Sequence, residues 1–186
     1  VRPIGGGAQG IVWQCRHTRL DELRAVKIVT AAAGSLASPD RILSEARILG
    51  MLRRHPHRIL LHDCIVNQPR VAFVMEYVPG ASLSERLGEA GPLDWETACR
   101  YIGDIADGLA DVHGNGVLHR DIKPGNILIH GETDEAVLCD FGLAVIAGGQ
   151  HVAAGTPGYL APELLTSGPN EKSDVFSLAA TLFHLV

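Results

Sequence analysis

The residues best suited to chemistry lie in two short runs in the second half of the chain. The first is His119-Arg120-Asp121-Ile122-Lys123-Pro124-Gly125-Asn126, and the second is Asp140-Phe141-Gly142. A carboxylate such as Asp121 can accept the proton of a hydroxyl, and the side-chain oxygens of Asn126 and Asp140 suit a hard cation. Lys123 can neutralise charge on a phosphoryl group during its transfer. The order and spacing of these groups are typical of phosphoryl transfer from ATP.

A glycine pattern near the start of the chain could cover phosphates. It reads Gly5-x-Gly7-x-x-Gly10-x-Val12, and by itself it also fits dinucleotide-binding folds or ordinary turns. A dinucleotide-binding fingerprint leads from a strand into a helix, whereas Gly10 leads directly into the β-type residues 11–13. The pattern therefore predicts a glycine hairpin, whose backbone amides can approach phosphates because no side chain blocks them. The sequence contains no P-loop pattern.

Lys27 and Glu45 form a second candidate pair. Lys27 lies in the apolar run 25–28, where a lone lysine usually faces solvent. The alternative is that Lys27 faces a cleft and pairs with Glu45, which follows 45 − 27 = 18 residues later in a predicted helix. Such an ion pair would hold Lys27 ready for the α- and β-phosphates of ATP.

The rest of the chain supplies the elements that must position these groups. The β-type runs predict strands at 11–13, 25–29, 59–66, 70–76, 127–129 and 136–139. Apolar spacing and caps predict helices from Ser38-Pro39 to about Arg53-Arg54, from a cap at Asp94 to about Val112, and from Asp174 to Val186. Pro79-Gly80 marks a turn and the boundary between two halves, 1–78 and 79–186.

Composition excludes several classes of protein. The net charge is −5 and no basic tract occurs, so no nucleic-acid partner is expected. No charge-free apolar run approaches the roughly 20 residues of a membrane span, so no membrane segment is expected in this chain. The four cysteines form no C-x-x-C pattern, which predicts free thiols in a reducing compartment, the cytoplasm. No feature indicates an oligomeric state.

Taken together, the motifs resemble those of eukaryotic-like, bacterial-type serine/threonine protein kinases. The glycine loop, Lys27, Glu45 and the two runs described above precede Ala161-Pro162-Glu163 in the order of that family. Lys123, together with the segment 155–159 (Gly-Thr-Pro-Gly-Tyr), looks like the serine/threonine branch. The resemblance implies an α+β, bilobal fold with an antiparallel-sheet N-lobe over 1–78 and an incomplete, mostly helical C-lobe over 79–186.

The resemblance also implies roles for individual residues. Asp121, Lys123, Lys27 and Glu45 would be catalytic, Asn126 and Asp140 would hold Mg²⁺, and the substrate would be a Ser or Thr hydroxyl of a protein. The residues implied to bind ATP are Ile4, Gly5, Gly7, Gly10, Val12, Ala25, Lys27, Met75, Glu76, Val78, Leu128 and Asp140. His119 is expected to be structural, because the phosphoryl-transfer template uses an aspartate as base.

Two features depart from the family pattern. No hydroxyl side chain lies between Gly142 and Thr156, so we expect that phosphorylation of that stretch does not switch activity on. The family fold continues for several helices, so we also expect a piece cut at both ends that is poorly soluble and nearly inactive alone. A non-catalytic nucleotide-binding or scaffold domain is therefore an alternative, and a small-molecule kinase is a third.

Overall fold

Five antiparallel strands and one helix form the first of two units in the computed structural model. The structure describes residues 1–7, 10–30, 39–67, 69–142, 144–147 and 154–186. The first unit comprises Val1–Arg53 and Ile59–Val78, and the second comprises Arg54–Arg58 and Pro79–Val186.

The sheet of the first unit has the order β1-β2-β3-β5-β4. Its strands are β1 (Arg2–Gly7), β2 (Gly10–Arg16), β3 (Leu23–Thr30), β4 (Leu61–Asn67) and β5 (Arg70–Glu76). Side chains alternate between the faces of a strand, and in β3 this alternation buries Ala25, Lys27 and Val29 on one face. The four predicted strands of this unit are present: β5 has the predicted bounds, 70–76, and the bounds of the other three are shifted by one to three residues.

Helix α1 (Pro39–Met51) completes the first unit. It begins at Pro39, as the sequence predicts, because proline has no N–H to lose in a first turn. It ends at Met51, before the predicted end near Arg53-Arg54, and residues 54–58 already belong to the second unit.

The second unit is mostly helical. Its helices are α2 (Leu83–Ala90), α3 (Trp95–Gly114) and α4 (Glu171–Leu185). Two small sheets join them: β6 (Gly80–Ser82), β8 (Ile127–His130) and β9 (Ala136–Leu138) in the order β6-β8-β9, and β7 (Val117–Leu118) paired with β10 (Val145–Ile146).

Helix α3 follows its sequence signals closely. Asp94 caps it, because its Oδ1 accepts a 2.9 Å hydrogen bond from Thr97 N. The predicted apolar face is buried at Ala98, Tyr101, Ile105, Leu109 and Val112.

Two other helices differ from the prediction. Helix α4 starts at Glu171 rather than Asp174, since Asn170 caps it by accepting from Lys172 N. Helix α2 was not predicted, although Ser82 and Glu85 form a capping box at its start. No helix of the described residues has both the length and the apolar character needed to cross a membrane.

Candidate active site

The Asp121 carboxylate is the centre of a polar cluster in the second unit. Asp121 follows β7 and is 8% exposed. Its Oδ2 accepts from Lys123 Nζ at 2.8 Å and from Asn126 Nδ2 at 2.9 Å. Its Oδ1 accepts from Thr156 Oγ1 at 2.6 Å, and the same Thr156 oxygen accepts from Lys123 Nζ at 2.7 Å. The carboxylate therefore has a fixed orientation.

The Asn126 amide is oriented for a cation. Its Nδ2 donates to the backbone oxygen of Asp121 at 2.7 Å as well as to the Asp121 carboxylate. Because both partners are oxygens, the amide nitrogen must face Asp121 and the amide oxygen must point away from it. That oxygen is a hard ligand of the type that Mg²⁺ takes, so Asn126 fits its expected role.

Asp140 reaches the same region through the pairing of β8 with β9. Ile127 lies opposite Leu138, so Asn126, which precedes β8, lies beside Cys139, which follows β9. A 2.9 Å hydrogen bond from Cys139 N to Asn126 O extends the pairing by one step. Asp140 follows with a φ of 60°, and its Oδ1 accepts from Gly142 N at 3.3 Å. The two expected metal ligands therefore lie at adjacent strand ends.

His119 contacts both the segment that carries Asp121 and the segment that carries Asp140. Its Nε2 lies 3.2 Å from Cys139 O, and Asp121 N lies 3.3 Å from its Nδ1. A carbonyl only accepts and an amide only donates, so the proton is on Nε2. Burial lowers the pKa of His119, which favours this neutral form. Its ring packs edge-on against Phe141, with centroids 4.7 Å apart. The structural role expected for His119 agrees with these contacts.

Asp174, in the first turn of α4, holds the backbone of His119 and Arg120, which directly precede Asp121. Its carboxylate accepts from His119 N at 2.8 Å and from Arg120 N at 2.7 Å. Arg120 has a φ of 70°, a conformation that a non-glycine residue keeps only when its surroundings impose it. His113 Nε2, in the last turn of α3, also lies 2.9 Å from the Asp174 carboxylate.

In the first unit, four of the expected ATP-binding residues share one face of the sheet. Val12 lies opposite Lys27, and Ala25 lies opposite Met75. Cross-strand partners project from the same face, and residues 25 and 27 of β3 share it too. Lys27 is only 6% exposed, so the reading of a solvent-facing lysine is wrong.

The glycine hairpin forms as expected, with Gly5 opposite Val12 and Gly7 opposite Gly10. Gly10 has a φ of 139°, and a Cβ there would lie 2.4 Å from Ile28 O, so only glycine fits. The tip of the hairpin, Ala8 and Gln9, lies outside the described residues.

The remaining expected residues are distributed as follows. Ile4 is 39% exposed at an irregularity of the β1–β2 pairing, Glu76 donates its backbone N–H to Leu60 O, and Val78 is buried. Leu128 is half-buried in β8 of the second unit. Glu45 lies in α1, but its side chain is outside the described part of the structure, so its pairing with Lys27 stays a prediction.

Comparison with known proteins identifies the family. The profile of the protein kinase domain matches residues 1–186. The chain belongs to the protein kinase family. The recognition made from the motifs and the α+β kinase fold class are confirmed.

Three relatives of this kinase chain are named serine/threonine-protein kinases. It is 40% identical over 189 residues to serine/threonine-protein kinase PknK of Mycobacterium tuberculosis, covering 98% of the chain and 17% of the relative. It is 34% identical to serine/threonine-protein kinase PkaA of Streptomyces coelicolor, covering 99% and 37%. It is 33% identical to CBL-interacting serine/threonine-protein kinase 7 of Arabidopsis thaliana, covering 100% and 45%. The chain thus spans less than half the length of each.

Sequence reasoning does not predict two long-range contacts of the second unit. His113 is 61 residues from Asp174, and Arg58 is 53 residues from Asp111, to which its Nε donates at 2.8 Å. No local pattern links such pairs. The one available signal was Arg58 itself, a charged residue directly before the apolar run 59–61.

Proposed function

We propose that this chain is a serine/threonine protein kinase domain that transfers the γ-phosphate of ATP to protein hydroxyls with the help of Mg²⁺. The observation that carries the proposal is the convergence of Lys123, Asn126 and Thr156 on the Asp121 carboxylate. A buried carboxylate that is held by three donors is positioned to receive one incoming hydroxyl, and positioning is the main requirement of phosphoryl transfer.

The residues of the second unit have separate tasks in this proposal. Asp121 accepts the proton of the substrate hydroxyl, and Thr156 keeps the carboxylate turned toward it. Lys123 balances the charge that develops on the transferred group. Asn126 and Asp140 hold Mg²⁺, which supplies positive charge to the phosphates when bound.

The residues of the first unit bind the nucleotide in this proposal. Gly5, Gly7 and Gly10 present backbone amides to the phosphates, and Lys27, paired with Glu45, contacts the α- and β-phosphates. The remaining ATP-binding residues expected from the family contact adenine or flank it. We also propose that residues 1–78 and 79–186 act as the N-lobe and the C-lobe.

The cellular setting is a further part of the proposal. The four cysteines are free thiols in the structure, which suits a reducing compartment such as the cytoplasm. The substrate is a protein with an accessible Ser or Thr, because the contact between Lys123 and Thr156 is built from residues of the serine/threonine-type pattern.

A phosphotransfer assay tests the proposal. Transfer from γ-labelled ATP to a generic basic protein is measured for the wild type, Asp121→Asn and Lys27→Met, with the exposed Lys172→Met as the matched control. We expect Asp121→Asn to lower kcat by about 10²-fold or more, as is typical for loss of a general base. Lys172→Met should behave as the wild type.

The products and the nucleotide affinity distinguish the alternatives. Label on phosphoserine and phosphothreonine supports the proposal, and label only on phosphotyrosine contradicts it. ATP binding without any transfer by the wild type would instead indicate the non-catalytic nucleotide-binding domain.

A further inference from the structure

Residues 55–58, here named the clasp, attach to the free edge of β9. The backbone oxygen of His57 accepts from Leu138 N at 3.0 Å, and Arg58 forms an isolated β-bridge with Leu138. His57 Nδ1 lies 3.2 Å from Ala136 O, which can only accept, so the ring donates to it. The clasp therefore acts as a further partner strand for β9, on the side opposite β8.

Side chains fix the clasp to helix α3. Arg58 is 1% exposed, and its Nε donates to Asp111 Oδ2 at 2.8 Å. His55 Nε2 lies 3.5 Å from Asp107 Oδ2. These two aspartates lie four residues apart, on one face of the helix. The same face carries Asp104, whose Oδ2 accepts from Ala136 N at 2.9 Å, so α3 holds β9 directly as well.

Gly108 is the position that lets the clasp approach α3. A Cβ built on Gly108 would lie 2.5 Å from His57 O and 3.0 Å from His57 C. That carbonyl is the one that accepts from Leu138 N. Any side chain at position 108 must therefore displace the atom that holds β9. At Gly103, in the same helix, a built Cβ meets no atom of the described residues within 4 Å apart from the adjacent backbone of α3 itself.

The other end of β9 leads into the candidate metal site. Leu138 is followed by Cys139, whose N–H and C=O are held by Asn126 and His119, and then by Asp140. We propose that the clasp and Gly108 are positioning elements for Asp140. They hold the edge of β9 that does not face β8, and thereby fix the position of the carboxylate that would bind Mg²⁺ two residues after Leu138. The inference rests on the proposed function only in taking Asp140 as a Mg²⁺ ligand.

The test compares Gly108→Ala with Gly103→Ala in the whole chain. Alanine is the better helix former at both sites, so both changes favour α3 itself, and only Gly108→Ala pushes against the clasp. Hydrogen exchange at Leu138 N is measured without nucleotide or metal. We expect at least about tenfold faster exchange for Gly108→Ala, because its acceptor is displaced, and no acceleration for Gly103→Ala.

The Mg²⁺ dependence of phosphotransfer is the second measurement. Gly108→Ala should raise the half-saturating Mg²⁺ concentration by roughly tenfold, an effect that general destabilisation alone does not produce. Asp111→Asn removes the charge that faces Arg58 without adding atoms. It should raise the exchange rate at Leu138 N and the half-saturating Mg²⁺ concentration by smaller factors than Gly108→Ala does. This variant replaces Gly108→Ala in the test if Gly108→Ala does not fold.

The outcomes separate the two proposals. Two results with an active wild type would overturn the role of the clasp. In the first, Leu138 N exchanges in Gly108→Ala and Asp111→Asn at the same rate as in Gly103→Ala. In the second, exchange is faster in these two variants but their half-saturating Mg²⁺ concentration is unchanged. An inactive wild type with a protected Leu138 amide would overturn the proposed function instead.

Discussion

Thr156 donates a 2.6 Å hydrogen bond to the Asp121 carboxylate, although 35 residues separate the two along the chain. Lys123 Nζ bonds to both, at 2.7 Å to Thr156 and at 2.8 Å to Asp121. The hydroxyl thus accepts from the ammonium and donates to the carboxylate, so the three groups orient one another. The orientation of the candidate base therefore depends on a segment that is remote in sequence.

Removing the Thr156 hydroxyl should reduce catalysis without unfolding the protein. Hydrogen bonds to charged groups contribute about 1.5–3 kcal/mol, so Thr156→Val should lower kcat roughly 10- to 100-fold. Thr156→Ser keeps the hydroxyl and should retain most of the activity. The exposed Thr166→Val is the control. Equal kcat for Thr156→Val and Thr156→Ser would show that the hydroxyl is not required.

Asp174 should be among the most sensitive positions for stability. It is 1% exposed and accepts from the backbone N–H groups of His119 and Arg120. Asp174→Ala leaves both amides without this acceptor, and each unsatisfied buried group costs about 1–3 kcal/mol. The free energy of unfolding in urea should fall by roughly 2–6 kcal/mol. Glu171→Gln, at an exposed position of the same helix, should change the free energy of unfolding little. A similar loss of free energy for Asp174→Ala and Glu171→Gln would contradict the stabilising role of the Asp174 carboxylate.

Stability should decrease in mildly acidic solution through His119. Burial lowers the pKa of His119 below its ordinary value of 6.5, so the unfolded chain binds this proton at a higher pH than the folded protein does. The free energy of unfolding is unaffected by this group above pH 6.5 and falls as the pH drops from there toward the lowered pKa.

The variant His119→Gln isolates this contribution, because glutamine offers an N–H donor but does not titrate. Urea unfolding between pH 7 and pH 5 should show a steeper decline for the wild type than for His119→Gln, about 1.4 kcal/mol per pH unit at most. Parallel curves for the two proteins would mean that His119 is protonated as readily in the folded state as in the unfolded state.

The capping box of α2 should affect stability and leave the site intact. Ser82 Oγ accepts from Glu85 N at 3.2 Å, and Glu85 Oε2 accepts from Ser82 N at 2.7 Å. Ser82→Ala should lower the free energy of unfolding by about 0.5–2 kcal/mol. The exposed Ser84→Ala, two residues later, provides the matched control. A kcat that falls with Ser82→Ala at temperatures where the protein is fully folded would argue against this separation.

Phosphatase treatment should not abolish activity. No Ser, Thr or Tyr lies between Gly142 and Thr156, and phosphate on Thr156 itself would place negative charge against the Asp121 carboxylate. Activity measured before and after phosphatase, together with phosphopeptide mapping, checks this expectation. If phosphatase abolishes activity and phosphate maps to Tyr159 or another site, phosphorylation at that site regulates the activity and the expectation is wrong.

Much of the secondary structure could be predicted because its signals are local. The Asp94 cap and the apolar face of α3 depend on residues within a few positions of one another, and the structure contains both. Helix α2 has an equally local signal, the capping box of Ser82 and Glu85, which the prediction from apolar spacing does not use. The sequence predicts an end of α1 near Arg53-Arg54, whereas the helix ends at Met51, because basic residues suit a helix C-terminus without fixing its last residue.

The sequence alone determined the family, the order of the motifs and the chemical types of the groups, since these follow from residue identity and spacing. Only the tertiary structure decided which atoms meet. The Asp174 carboxylate meets the amides of His119 and Arg120. The His57 carbonyl meets Leu138 N at a point that only the missing side chain of Gly108 leaves open. Such contacts join residues tens of positions apart, so they depend on how helices and strands pack. A hydrogen bond forms or fails within a few tenths of an ångström, and no local pattern of residues sets distances that finely.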